Sequence, residues 1–338
     1  MLRYLTRRLG QAVLVVAGVV TLTFTVMRLV PGDPAVAFAG PRATPAELAA
    51  ARERFGLDDP LWTQLWNYAR DLAGGDWGTS LHTRQPVARD LTLAFPASLE
   101  LVGAALVVAV AAGVPLGVLA ARFKAGLPDL SVRFTSMLAV SVPVFWLALV
   151  VQTVFAGNLG WFPVAGEYDS SLDRTSPLTV YTDITIVDAL ITGNWPVFTS
   201  TLWHLALPAL VVAAYPAGVI AQMTRAALIE ESGQDHVRLS RALGFGRTAV
   251  LVRFALRPAA GPVLSLIALV FAYAIVNGFL VEAVFNWPGL GRYAAASIRS
   301  LDTPAIAGVT LLVALLYVGS NLLVDLVQGV LDPRVRTR

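Results

Sequence analysis

Few side chains in this sequence have the type and spacing to do covalent or metal chemistry. There is no cysteine, which removes disulfides, iron–sulfur clusters and thiolate zinc sites. His82, His204 and His236 stand far apart with no HxxxH or HExxH spacing, so a histidine metal site is not expected. The single lysine, Lys124, is followed by alanine, and a phosphate-binding loop needs a lysine just after its glycines. No GxSxG elbow is present, and Gly244-Phe245-Gly246 is half of a dinucleotide fingerprint with no strand before it. What remains is the basic stretch "DHVRLSRALGFGRTAVLVRFALRP" at 235–258, lying between two apolar runs.

As a helix, that stretch places Asp235, Arg238, Leu239 and Ala242 on one face, at i, i+3, i+4 and i+7. Gly244 and Gly246 then end the helix, because glycine is poor in helix interiors and good beyond their C-termini. A second helical pattern runs from Thr248 to Leu256. In it Val250, Leu251, Phe254 and Ala255 are apolar, while Arg253 and Arg257 lie one turn apart. Pro258 is expected to mark the boundary before the next apolar run. The product is a helix–turn–helix elbow. Its blander reading is a topogenic basic loop. Its functional reading is a docking surface in which Asp235, Arg238, Leu239, Arg241 and Ala242 make the contact and Gly244 and Gly246 set the bend.

The elements around this elbow belong in lipid. The chain of 338 residues is 56% apolar and 14% charged, against roughly 25% charged in a soluble domain. Six windows approach the ~20 apolar residues that a spanning helix needs: about 9–30, 97–121, 134–156, 202–224, 259–281 and 304–330. The first follows Arg3, Arg7 and Arg8, and Ala37-Phe38-Ala39 resembles a signal cleavage site. The run is nevertheless longer than a signal peptide's apolar region, and Pro31-Gly32-Asp33-Pro34 separates it from that site. With the N-terminus inside, the inner segments 1–8, 122–133, 225–258 and 331–338 carry 15 basic and 5 acidic residues. The outer segments 31–96, 157–201 and 282–303 carry 9 basic and 15 acidic residues. Both termini and the elbow are therefore expected in the cytoplasm. The basic excess reads as topology rather than as a nucleic-acid surface.

The chain thus divides into a tail and first span (1–30), an extracytoplasmic insert (31–96), a five-helix core with the elbow (97–330) and a cytoplasmic tail (331–338). Within the insert, 45–57 reads as a short helix capped by Thr44, boxed by Glu47 and stopped at Gly56. Pro115, Pro143, Pro208, Pro216 and Pro262 are expected to kink spans. Gly113 and Gly117 form a small-xxx-small pair for close helix contact. Glu100 and Asp325 are the only acids within apolar runs, too few for a proton relay.

Arg238 to Arg257 resembles the cytoplasmic coupling loop of ABC importer permeases, whose pattern is EAA, three residues, G, nine residues, I-x-LP. Gly244 matches the glycine and Leu256 the leucine. Arg238-Leu239-Ser240 stands in place of EAA, Phe254 in place of Ile and Arg257 in place of Pro, departures that look like the peptide-importer branch. "RLVPGDPA" (28–35), "FGLDDPL" (55–61), "GDWGTSL" (75–81), "SVPVFWLALV" (141–150), "LGWFPVAG" (159–166), "HLALPAL" (204–210), "VEAVFNWPGLGR" (281–292) and "LLVDLVQGVLDPRVR" (322–336) occur in the order expected for the dipeptide/oligopeptide/nickel permease family. They cover nearly the whole chain and resemble the first ("B") of two permease subunits.

The resemblance implies an all-α, polytopic membrane protein with six transmembrane helices and an extracytoplasmic insert after helix 1, in the bacterial inner membrane. It implies a non-catalytic subunit with no cofactor in this chain, ATP and Mg being bound by a partner ATPase. Implied partners are a second homologous permease, two ATP-binding subunits or one fused ATPase, an extracytoplasmic solute-binding protein and membrane lipid. Peptide is the expected substrate. Haem or a nickel chelate is the alternative cargo, and an ion-coupled secondary transporter is the rival of another class.

Overall fold

The computed structural model describes residues 2–29, 35–36, 43–54 and 56–331. The polar break at 31–34, the Ala37–Ala39 motif, residues 332–338 of the tail and the side chain of Asp325 lie outside the described residues. The described chain is helical, and its one β-type pairing is an isolated bridge between Thr79 and Pro86.

In chain order the helices are α1 (Leu2–Leu29), α2 (Pro45–Arg54), α3 (Leu61–Ala73), α4 (Val87–Arg122), α5 (Leu127–Ser141), α6 (Val144–Val151) and α7 (Thr185–Ile191). Then come α8 (Trp195–Glu231), α9 (Asp235–Ala242), α10 (Leu256–Phe285), α11 (Leu290–Arg299) and α12 (Thr303–Leu331). A π-helical stretch, Gln152–Asn158, prolongs α6. Among the described residues five helices are long and apolar enough to cross a membrane, six if the bent pair α5–α6 counts as one span. The chain is thus an all-α polytopic membrane protein. It splits into two compact units, one of residues 1–96 and 288–319, the other of 97–287 and 320–338.

In the larger unit α8 is the hub, with 61% of its apolar window buried. Small residues let its neighbours come close. A Cβ on Gly113 of α4 would stand 2.8 Å from the Ala217 carbonyl oxygen, and one on Gly117 would stand 2.6 Å from that of Ala221. The Gly-xxx-Gly pair is therefore a backbone-to-backbone seam, as its spacing predicts. On another side of α8, Gly218 lies against the Ser136 backbone of α5.

Prolines split into two outcomes. Pro208 and Pro216 sit inside an unbroken α8, and Pro262 inside α10. At Pro143 the expected third span is not a kinked rod: α5 and α6 meet at 103°. Proline disfavours the helical region for the residue before it, and Val142 accordingly is extended (φ −84°, ψ 127°). A second expectation also needs correcting. Pro258 does not bound the fifth span, since helical structure runs from Arg247 through the π-helical Val250–Ala255 into α10. Pro258 is the third residue of α10, directly after the π-helical stretch, where the i→i+4 pattern is already interrupted. The change to i→i+5 bonding just upstream takes up the misfit.

In the smaller unit, α2 begins with the predicted reciprocal cap: the Thr44 N–H donates to Glu47 Oε2 (2.7 Å) and the Glu47 N–H to Thr44 Oγ1 (3.3 Å). That backbone donor holds the Glu47 carboxyl below its usual range. Buried Asp302 gathers the "GDWGTSL" segment, accepting from Ser80 Oγ (2.5 Å) and the His82 N–H (3.0 Å), and it also caps Ala305 (3.2 Å). The Tyr293 hydroxyl donates to Asp90 (3.2 Å); burial first, then that carboxylate, pushes its pKa upward.

Candidate functional site

The elbow is built from two arms packed on each other. α9 begins with Asp235 in its first turn and ends with Arg241 in its last, both complementing the helix dipole. Val237 and Ser240 are buried, and Val237 shares a core cluster with Val250 and Ala255 of the second arm. The Phe245 and Phe254 rings, 5.0 Å apart, close the angle between the arms. Gly244 turns the chain with φ +87°, in the left-handed region that favours glycine. Gly246 has no such backbone demand, and a Cβ there would meet nothing within 4 Å.

All the predicted docking residues lie on the outer side. Asp235, Arg238, Leu239, Arg241 and Ala242 are exposed. Arg238 reaches Asp235 at 3.8 Å, a loose pair that leaves both groups wet. Leu239 is 61% exposed, and Leu243, which sequence reasoning misses, 69%. The missed signal is their i, i+4 spacing, which puts two leucines on one exposed face.

The loop before α5 is held from the base of α8. Asp129 and Arg225 form a two-point ion pair through Nε and Nη2, the latter at 2.8 Å, and Asp129 also accepts the Ala125 N–H (2.9 Å). A forked, mostly buried pair of this kind fixes geometry as well as charge.

A cavity of about 260 Å³ opens at the α5–α6 bend. Ser141, Val142 and Pro143 line it from the bend, Tyr215 from α8, and Tyr273 and Asn277 from α10. The Tyr215 and Tyr273 rings stack at 4.2 Å, and the Asn277 amide donates to the Tyr273 carbonyl (3.0 Å). The last carbonyls of α5 and the first N–H groups of α6 have no partners within their own helices. Irregular backbone at membrane depth is tolerated where protein buries it or where it lines a wet cavity. Sequence reasoning reaches Ser141, Val142 and Pro143 through the 141–150 motif but singles out none of Tyr215, Tyr273 and Asn277. The signal that could have found them is Tyr273 and Asn277, polar side chains one turn apart in an otherwise apolar run.

Motif residues at the ends of these helices are pinned rather than loose. Buried Trp287 donates its indole N–H to the Ala97 carbonyl (2.8 Å). Gln152 ties the carbonyls of Val164 (2.8 Å) and Val284 (3.0 Å) together. Phe162 stacks on Trp203 at 4.7 Å. Glu100, almost wholly buried, accepts the Ile186 N–H at 3.2 Å. In the loop between, the Tyr168 hydroxyl donates to Asp173 (2.7 Å), which pushes its pKa up to about 12. Among the described residues no group of three or more His, Asp or Glu side chains is placed to hold a metal.

Comparison with known proteins agrees with this architecture. Residues 113–337 match the model for the binding-protein-dependent transport system inner membrane component, and residues 1–102 match that for the N-terminal part of such membrane components. The chain is 40% identical to the probable D,D-dipeptide transport system permease protein of Escherichia coli K12, over 98% of this chain and 96% of that one. It is 37% identical to the di/tripeptide transport system permease protein of Pseudomonas aeruginosa UCBPP-PA14, over 99% of both. It is 36% identical to the dipeptide transport system permease protein of Alkalihalophilus pseudofirmus, over 99% of this chain and all of that one. The chain therefore belongs to the family of inner-membrane permease components of binding-protein-dependent transport systems.

Proposed function

We propose that this chain is the permease subunit of an ATP-driven peptide importer, forming half of the translocation pathway and coupling it through the elbow to a separate ATPase. One observation carries this reading. α9 presents its charged and apolar face outward, while its inner face packs on an arm that runs without a break into α10, which borders the cavity with Tyr273 and Asn277. A force applied to α9 is thereby delivered to the wall of the cavity. Coupling requires that a partner bind the elbow differently in its two states.

The remaining parts follow from chemistry and charge. The basic excess on the elbow side supports cytoplasmic termini, with the ATPase subunits or fused ATPase docking at Asp235, Arg238, Leu239, Arg241 and Ala242. ATP and Mg belong to that partner, and this chain needs no cofactor of its own. The cavity is smaller than the ~300–1,000 Å³ of a closed ligand pocket, as suits a half-site completed by a second permease. Its backbone donors, backbone acceptors and aromatic walls suit a peptide delivered by an extracytoplasmic binding protein, and the relatives named for peptide transport support the same cargo.

The test is the double charge reversal Arg238→Glu with Arg241→Glu in the reconstituted importer. Losing two interfacial cations should lower ATPase association or peptide-stimulated hydrolysis by at least about tenfold, equivalent to ~1.4 kcal/mol. Normal assembly together with normal stimulated hydrolysis would remove the elbow from the coupling path. Peptide uptake by the chain alone in liposomes would favour an ion-coupled carrier instead.

A further inference from the structure

α3, "LWTQLWNYARDLA", has no part in the pathway just described, yet it is a clearly two-sided short helix of the smaller unit. Thr63, Gln64, Asn67, Arg70 and Asp71 fall on one arc of its wheel, and Leu61, Trp62, Leu65, Trp66, Tyr68 and Leu72 on the other. Only part of the apolar arc is used by the fold. Tyr68 packs on Phe24 of α1 with ring centroids 5.9 Å apart, whereas Trp62 and Trp66 are 74% and 70% exposed and Leu61 is 64% exposed. Two tryptophans one turn apart, facing outward, form a ridge that the described residues do not cover.

The place where α3 is anchored says what covers it. Phe24 lies four residues, about 6 Å along the helix, from Arg28, where the apolar run of α1 ends. The apolar window of α1 is only 6% buried, so α3 rests on a span whose own surface faces outward almost throughout. The Tyr68–Phe24 contact thus sets the depth of α3 at the level where acyl chains give way to headgroups. Tryptophan is enriched at that level, and amphipathic helices lie there with their apolar face some 5–10 Å into the boundary.

We propose that α3 is an interfacial helix lying on the membrane surface at the C-terminal end of the first span, with Trp62, Trp66 and Leu61 immersed in the lipid headgroup–acyl boundary. The polar arc is not cationic. Its one arginine, Arg70, sits 3.9 Å from Asp71, so immersion rests on apolar contact and is indifferent to anionic lipid.

The absence of cysteine makes the test direct. The chain is prepared with Trp62→Cys, Trp66→Cys or Arg70→Cys, assembled into the full importer in phosphatidylcholine nanodiscs and spin-labelled, with the cysteine-free chain as background control. Labels at 62 and 66 should collide several-fold more with oxygen and several-fold less with an aqueous nickel chelate than the label at 70. Adding phosphatidylglycerol should change neither ratio. Equal nickel-chelate access at all three sites would overturn the proposal, because the ridge would then face water. Labels at 62 and 66 shielded from both reagents would also overturn it, by showing a protein partner on the ridge. If a cysteine variant fails to assemble, the conservative pair Trp62→Phe with Trp66→Phe serves instead. Brominated lipid should quench a component of wild-type fluorescence that this variant lacks, and identical fractional quenching in the two proteins would reject the proposal.

Discussion

Glycine shapes both the seam between α4 and α8 and the elbow after α9, for unlike reasons. At Gly113 and Gly117 the backbone is helical, and the requirement is space: an added Cβ would press on the carbonyl of Ala217 or Ala221. At Gly244 the space is open, and the requirement is the left-handed backbone itself. The first kind of glycine is held by a neighbouring helix and leaves nothing free to move. The second belongs to a surface corner whose shape is local and whose outer face is exposed. A fixed interior and a responsive edge are what the proposed coupling role needs.

Substitutions should separate the two regions. The largest effect is expected for Gly117→Val, which overpacks the seam against backbone that cannot yield. It should cost about 3 kcal/mol, read as a lower melting temperature or failed accumulation of the purified complex. A normal melting profile would mean that the seam is looser than its contacts imply. Gly244→Ala should cost about 1 kcal/mol through its positive φ and should weaken stimulated ATP hydrolysis more than it lowers the melting temperature. Gly246→Ala, in open space with an ordinary backbone, should stay within about 0.5 kcal/mol of the parent. Equal effects at 244 and 246 would break the comparison.

The smallest expected effect lies at the cap of α2. The Glu47 carboxyl is held below its ordinary value of 4.5 by the Thr44 N–H, so its folded pKa lies below its unfolded one. Its stabilisation is therefore complete above about pH 4.5 and is lost as pH falls through the lowered folded value. Amide exchange of residues 46–49 should rise at the acid end in the parent. In Glu47→Gln it should be insensitive to pH over that window, once the intrinsic exchange rates are divided out.

Features governed by neighbours along the chain are legible in the sequence. The Thr44–Glu47 box, the helix from 235 to 242 and the turn at Gly244 follow from spacing and backbone preference, and all three are present in the fold. The same holds for the Gly113–Gly117 seam, because a small-xxx-small spacing leaves one face of a helix bare. Legibility fails where identical residues meet different surroundings. Pro208, Pro216 and Pro262 are absorbed into continuous helices, while Pro143 turns the chain through 103°. Likewise Pro258 has the sequence signature of a boundary, and the π-helical stretch ahead of it lets the helix continue. The candidate cavity is invisible for the same reason. Tyr215 and Tyr273 are 58 positions apart, and only the packing of α10 on α8 stacks them.

By itself, then, the sequence determined the apolar runs, the charge asymmetry between the two sides, the caps and the elbow. Each of these depends on local spacing or on the difference between water and lipid as solvents. The tertiary structure decided which proline breaks a span, where the cavity opens and which tryptophans remain uncovered. Those outcomes depend on which helix happens to stand alongside, and composition carries no record of that.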